Sequence, residues 1–179
     1  MNIHPLFVHF PIGLLAVYSL LELGAYAVPC VRRQAWAFPV KAFLLFTGVL
    51  AAFVALGTGG MAEELVEGLV PNGFILEVHA SFAAATTFVY LVLAAAYLTR
   101  ICDQKGWSDR IFGANRFLLR ILGLRRYFTH LVLDTWLLPV LALVALVGMT
   151  ITGALGAAIV YGPDADPIVS LVYHFFWAQ

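Results

Sequence analysis

The sequence predicts an all-α, polytopic membrane protein: a four-transmembrane-helix bundle followed by a short interfacial helix. Three observations predict it. The 179 residues are 63% hydrophobic and 11% charged, with a mean hydropathy of +0.94, whereas a soluble domain is about half apolar and about a quarter charged. Four apolar runs are each long enough to supply the ~20 residues that cross a ~30 Å hydrocarbon layer. All ten Lys and Arg residues fall in or near two of the connections between those runs.

The runs give helices over about 5–28, 38–57, 74–98 and 131–161. They lack the alternation of barrel strands, and a helix satisfies its own backbone groups where there is no water. Pro5 suits the first helical position, and Pro11 is expected to kink the helix it starts. No basic region precedes the first run, so it is expected to be retained as a span rather than cleaved as a signal peptide. Arg32, Arg33 and Lys41 surround the first connection. Arg100, Lys105, Arg110, Arg116, Arg120, Arg125 and Arg126 lie in the third. The second, from Thr58 to Gly73, holds Glu63, Glu64 and Glu67, and Glu77 follows it; the C-terminal segment carries Asp164 and Asp166. The positive-inside rule then places both termini outside and the basic connections in the cytoplasm, which for a bacterial protein means the inner membrane.

Within the third connection, residues 100–127, Phe112, Phe117, Leu118, Ile121, Leu122 and Leu124 interleave with arginines. This is the pattern of a basic amphipathic helix on anionic lipid, with a partner-docking surface as the alternative. In the outer segment 162–179, Val169, Val172, Tyr173 and Phe176 form an apolar face at helical spacing, and Trp177 suits the interface. Cys30 and Cys102 both fall in or beside the cytoplasmic segments, so no disulfide is expected. The absence of a C-x-x-C sequence excludes a thiol redox motif and covalent c-type haem attachment. Nothing reads as nucleic-acid binding.

Four of the five histidines gather at the outer end. His4 and His9 open the first helix, His79 lies five residues into the third, and His174 is in the outer segment. At ~1.5 Å per residue, His9 and His79 lie within about 8 Å of one boundary, so they match in depth on different helices. His4 and His9 are about 140° apart around a helix and need a bent start to face inward together. Gly13, one turn beyond His9, leaves room for a flat ligand or for close helix packing. Ionisable groups at membrane depth are functional candidates. The cluster is read as axial ligation of one b-type haem, as a transition-metal site for copper, zinc or iron on the same histidines, or as proton transfer. The bland reading is hydrogen bonding between helices or to headgroups.

Glu22 lies in the inner half of the first helix, where a lone carboxylate is costly; Lys41 is its natural partner, as an ion pair or as part of a proton carrier. His130 stands alone at the cytoplasmic end, four residues before Asp134 and able to hydrogen-bond to it.

His4-Pro5-Leu6-Phe7-Val8-His9-Phe10-Pro11-Ile12 resembles the opening H-P-x-x-V-H-F-P-I of a bacterial membrane-protein family catalogued as domain of unknown function 2231. Thr152-Gly153-Ala154-Leu155-Gly156-Ala157-Ala158-Ile159-Val160-Tyr161 is similar to that family's T-G-x-L-G-G-x-x-V-Y. The resemblance implies a four-helix domain with functional weight on His4, His9 and His79. Relatives that carry cytochrome c domains, fused or adjacent, imply electron transfer. The sequence departs from the pattern at Ala154, where relatives often have His, and at Ala157, where Gly is usual; His174 is then a substitute ligand.

The expected function is an integral-membrane b-type haem protein, with His9 and His79 as the best ligand pair. It would carry electrons between the quinone pool and an outer-face partner, a periplasmic cytochrome or a larger membrane complex. It reads as a carrier or subunit rather than a stand-alone enzyme. A His-based metal-binding or transport protein and a non-catalytic scaffold subunit are the alternatives.

Overall fold

The structure is a computed structural model that describes residues 4–66, 73–108 and 116–177. The described residues form helices and turns with no strand. Helix α1 spans His4–Ala27, α2 Pro29–Arg32, α3 Ala37–Val66 and α4 Gly73–Gln104. Helix α5 spans Arg116–Leu133, α6 Leu137–Tyr161 and α7 Pro167–Trp177. Four of these, α1, α3, α4 and α6, are long and apolar enough to cross a membrane. Their lipid-facing surfaces carry exposed Phe10, Phe43, Leu50, Phe88 and Val144, as a bundle immersed in apolar solvent requires.

Helix α1 packs along α3, and α4 along α6; α3 with α4, and α1 with α6, close the bundle. Small residues set the approach. A Cβ on Gly48 would lie 2.6 Å from Leu15 Cδ2, so α3 meets α1 where glycine stands. The same holds for Gly148 of α6 against the Thr86 hydroxyl of α4. Between them lies a core of Leu15, Tyr18, Leu45, Val49, Tyr90 and Leu93.

Three departures from the sequence reading have identifiable causes. Helix α1 runs unbroken through Pro11, so its start does not separate from the rest of the helix. The fourth apolar run is divided: α5 ends at Leu133 and α6 begins at Leu137. Pro139 falls in the first turn of α6, where its missing N–H is not needed, and Thr135 Oγ1 accepts from the Leu137 N–H at 3.1 Å. The basic connection is also not one surface helix. Helix α4 continues to Gln104, and α5 packs back on it, burying Leu122, Thr129 and Val132. Arg125 bonds Asp103 and Ser108, so one cation of the supposed lipid face is spent within the protein. Arg110, Phe112 and Glu67 lie outside the described residues, as do the side chains of Phe117, Leu118, Glu63 and Glu64.

Helix α7 begins where Asp166 Oδ1 accepts from the N–H groups of Ile168 and Val169 at 2.8 and 3.0 Å. This is an N-cap followed by Pro at the first helical position. Gly162, at φ +94°, turns the chain out of α6. Helix α7 then folds against the bundle: Val169 is buried with Ile75, Leu155 and Ala158. Phe176 and Trp177 meet Phe82 and Phe74 of α4 edge to face. The starts of α1 and α4 and the end of α6 share this end with α7; it is called the terminal end below. Arg32, Arg100 and Arg125 mark the opposite, basic end.

Candidate functional site: an imidazole pair and a buried charge cluster

Of His4, His9, His79 and His174, the two that turn inward are His4 and His79. His4 Nδ1 lies 3.1 Å from Thr58 Oγ1 of α3. That hydroxyl also lies against the Val54 and Ala55 carbonyls at 3.0 and 3.1 Å. His79 Nδ1–H donates to the Thr152 carbonyl of α6 at 3.0 Å. A carbonyl can only accept, so His79 is held as the tautomer whose lone pair sits on Nε2. Each ring also rests on a glycine. A Cβ on Gly59 would come within 3.3 Å of His4 Cε1, and one on Gly156 within 3.1 Å of His79 Cε1. All four spans therefore shape the pair: α1 and α4 carry the rings, and α3 and α6 seat them. The imidazoles are near enough for a charge on His4 to act on His79. Burial holds His4 below the usual imidazole pKa, and a hydrogen bond to the Ala55 carbonyl partly offsets this.

His9 and His174 are placed differently. His9 is exposed on α1, as five helical positions from His4 require. Gly13 shares the exposed surface, and a Cβ there would meet nothing within 4 Å. His174 is exposed on α7, with Nε2 3.4 Å from Asp164 Oδ1. Among the described residues, no three His, Cys, Asp or Glu side chains come together as a metal-ion site.

The second cluster lies toward the basic end. Lys41 Nζ donates to Glu22 Oε2 at 2.8 Å, with side chains 9% and 1% exposed. The Tyr97 hydroxyl donates to Glu22 Oε1. Tyr18, fully buried, lies beside Glu22 and Tyr97, its ring edge-on to that of Tyr97 with centroids 6.0 Å apart. One turn further in, Ser19 Oγ and Tyr90 Oη lie 2.9 Å apart. A recess of about 540 Å³ reaches Glu22, Lys41 and Tyr97 from a rim carrying Arg32, Arg100 and Asp134. Asp134 is held by Arg100 at 2.5 Å. It makes no side-chain bond with His130, which is exposed. The four-residue spacing survives only as a backbone bond, because the helix ends there.

Sequence reasoning assigned no role to Tyr18, Ser19, Tyr90 or Tyr97. The signal was present: Ser19 and Glu22 are one turn apart on α1, and Tyr90 and Tyr97 two turns apart on α4.

A family model matches residues 1–164 of the chain. The chain belongs to the DUF2231 family. That family is described as a predicted membrane protein, which agrees with the four membrane-length helices of the structure. No curated protein and no solved structure matches this DUF2231 chain.

Proposed function

We propose that this DUF2231 protein binds one b-type haem through His4 and His79 and carries electrons at the terminal end of the bundle. The observation that carries this reading is the inward placement of one imidazole from α1 and one from α4, each seated against a glycine of a neighbouring span. The His79 Nδ1–H is engaged by the Thr152 carbonyl, which leaves its Nε2 lone pair as the donor and orients the ring, as outer partners of ligating histidines do. Two imidazoles from facing helices satisfy a haem iron, whose remaining ligands come from the macrocycle. A bare zinc or copper ion needs three or four protein donors, and no such group is present among the described residues. The glycine seats at Gly59 and Gly156 fit this donor set, since each lies against a ring edge that a methyl would crowd.

When bound, haem supplies reversible one-electron chemistry. The residues orient the ligands. The charge segregation supports an orientation with both termini outside the bacterial inner membrane. The site then faces an outer partner such as a periplasmic cytochrome and draws on the quinone pool within the bilayer. The test is an optical spectrum of protein purified after expression with ample haem. A Soret band that His4→Ala or His79→Ala removes is expected; its absence from the wild-type protein sinks the proposal.

A further inference from the structure

The recess at the basic end has a charged floor within a bundle of membrane-length helices. Glu22 and Lys41 lie at its base, with side chains 1% and 9% exposed. Its wall is fixed by packing. Phe38 stacks on Tyr97 with ring centroids 5.0 Å apart, and the Tyr97 hydroxyl is tied to Glu22. The recess holds about 540 Å³, which is within the range of small-ligand sites. Lipid chains alone would set hydrocarbon against the ion pair, which is costly, so the recess calls for a polar occupant.

The charges decide the sign of that occupant. Three cations, Arg32, Lys41 and Arg100, and two carboxylates, Glu22 and Asp134, line the recess. Each carboxylate is already held, Glu22 by Lys41 at 2.8 Å and Asp134 by Arg100 at 2.5 Å. The surplus charge is Arg32, exposed at the rim with no carboxylate partner among the described residues. Tyr26 and Trp136, also lining the recess, are 58% and 66% exposed, as aromatic rings of the headgroup layer are. We propose that the recess binds the phosphate of an anionic phospholipid headgroup from the leaflet at the basic end. The Arg32 guanidinium forks onto the phosphate oxygens. Lys41 and Arg100 add positive potential while keeping their own carboxylates. A zwitterionic headgroup brings an ammonium of its own, which these cations repel. Basic pockets between spans take anionic headgroups on the same grounds. The site does not depend on what the imidazoles bind, so it stands or falls separately from the haem reading.

The test is a melting titration of the full-length protein, stripped of lipid in a neutral detergent, since a ligand of the folded state raises its melting temperature. The probes are phosphatidylglycerol, phosphatidylcholine with the same acyl chains, and inorganic phosphate. Phosphatidylglycerol is expected to bind about fivefold more tightly than phosphatidylcholine, the worth of one arginine at a headgroup. Inorganic phosphate at the same concentration is expected to leave melting unchanged. Arg32→Gln is expected to abolish the preference and, because Arg32 is exposed, to melt like the wild type without lipid. Arg33→Gln removes the same charge one residue away, outside the recess, and is expected to keep the preference. Equal affinity of the wild type for the two lipids overturns the site, as does a preference that survives Arg32→Gln. Equal loss in Arg33→Gln assigns the effect to diffuse charge and overturns it too. Inorganic phosphate that raises melting as far as phosphatidylglycerol overturns the lipid as the source.

Discussion

The Tyr97 hydroxyl of α4 and the Lys41 ammonium of α3 bind the two oxygens of one carboxylate, Glu22 of α1. Three spans are thus tied at one buried point, and its energetics are testable by subtraction.

Lys41→Met leaves Glu22 without its cation. Loss of one partner of a buried pair costs about 3–5 kcal/mol, whereas replacing both partners is often neutral. The single variant is therefore expected to melt well below the wild type in detergent, and Glu22→Gln/Lys41→Met close to it. Equal melting of all three would show that the pair is not buried.

The histidines separate by placement. His9→Ala removes an exposed ring and is expected to leave the Soret band unchanged. His4→Ala and His79→Ala are each expected to abolish the low-spin spectrum. Loss of the band in His9→Ala, with retention in His4→Ala, would exchange their roles.

Gly156→Ala places a methyl about 3.1 Å from His79 Cε1, tighter than an unstrained contact. Overpacking of this kind costs typically about 1–3 kcal/mol, and here the imidazole is what must move. Reduced haem content is expected, with a smaller loss in melting temperature. Gly13→Ala, which meets nothing, is the control; its haem content and melting should match the wild type.

Acid should weaken the fold through His4. Its pKa is lowered by burial, so the unfolded chain takes up the proton first, near the free imidazole value of about 6.5. The stability contributed by the neutral ring is fully present above that value and is lost as pH falls through the lower folded pKa. Melting of the haem-free protein is expected to fall over that window, and His4→Gln to flatten the fall. A pH profile identical in both proteins would remove His4 as the cause.

The four spans were legible because an apolar run of membrane length has few alternatives. The Glu22–Lys41 pair was legible because a buried carboxylate needs a cation and only one stood at its depth. The division of the fourth run was missed because hydropathy continues across Asp134 and Thr135, while Pro139 acts through the backbone. The choice between His4 and His9 was not legible either. It depends on which face of α1 meets α3, and Gly48 decides that from another helix. Asp134 went to Arg100 rather than His130 because the partner came from α4, beyond any local spacing rule.

Helix α4 has 32 residues and so runs about 48 Å, longer than the ~30 Å hydrocarbon layer. A helix that outlasts its bilayer accommodates by tilting. His79 lies near one end of this rod, and Arg100 and Asp103 lie near the other. The two ends of this one span, one carrying His79 and the other Arg100 and Asp103, therefore cannot both lie within a ~30 Å layer when the helix stands upright.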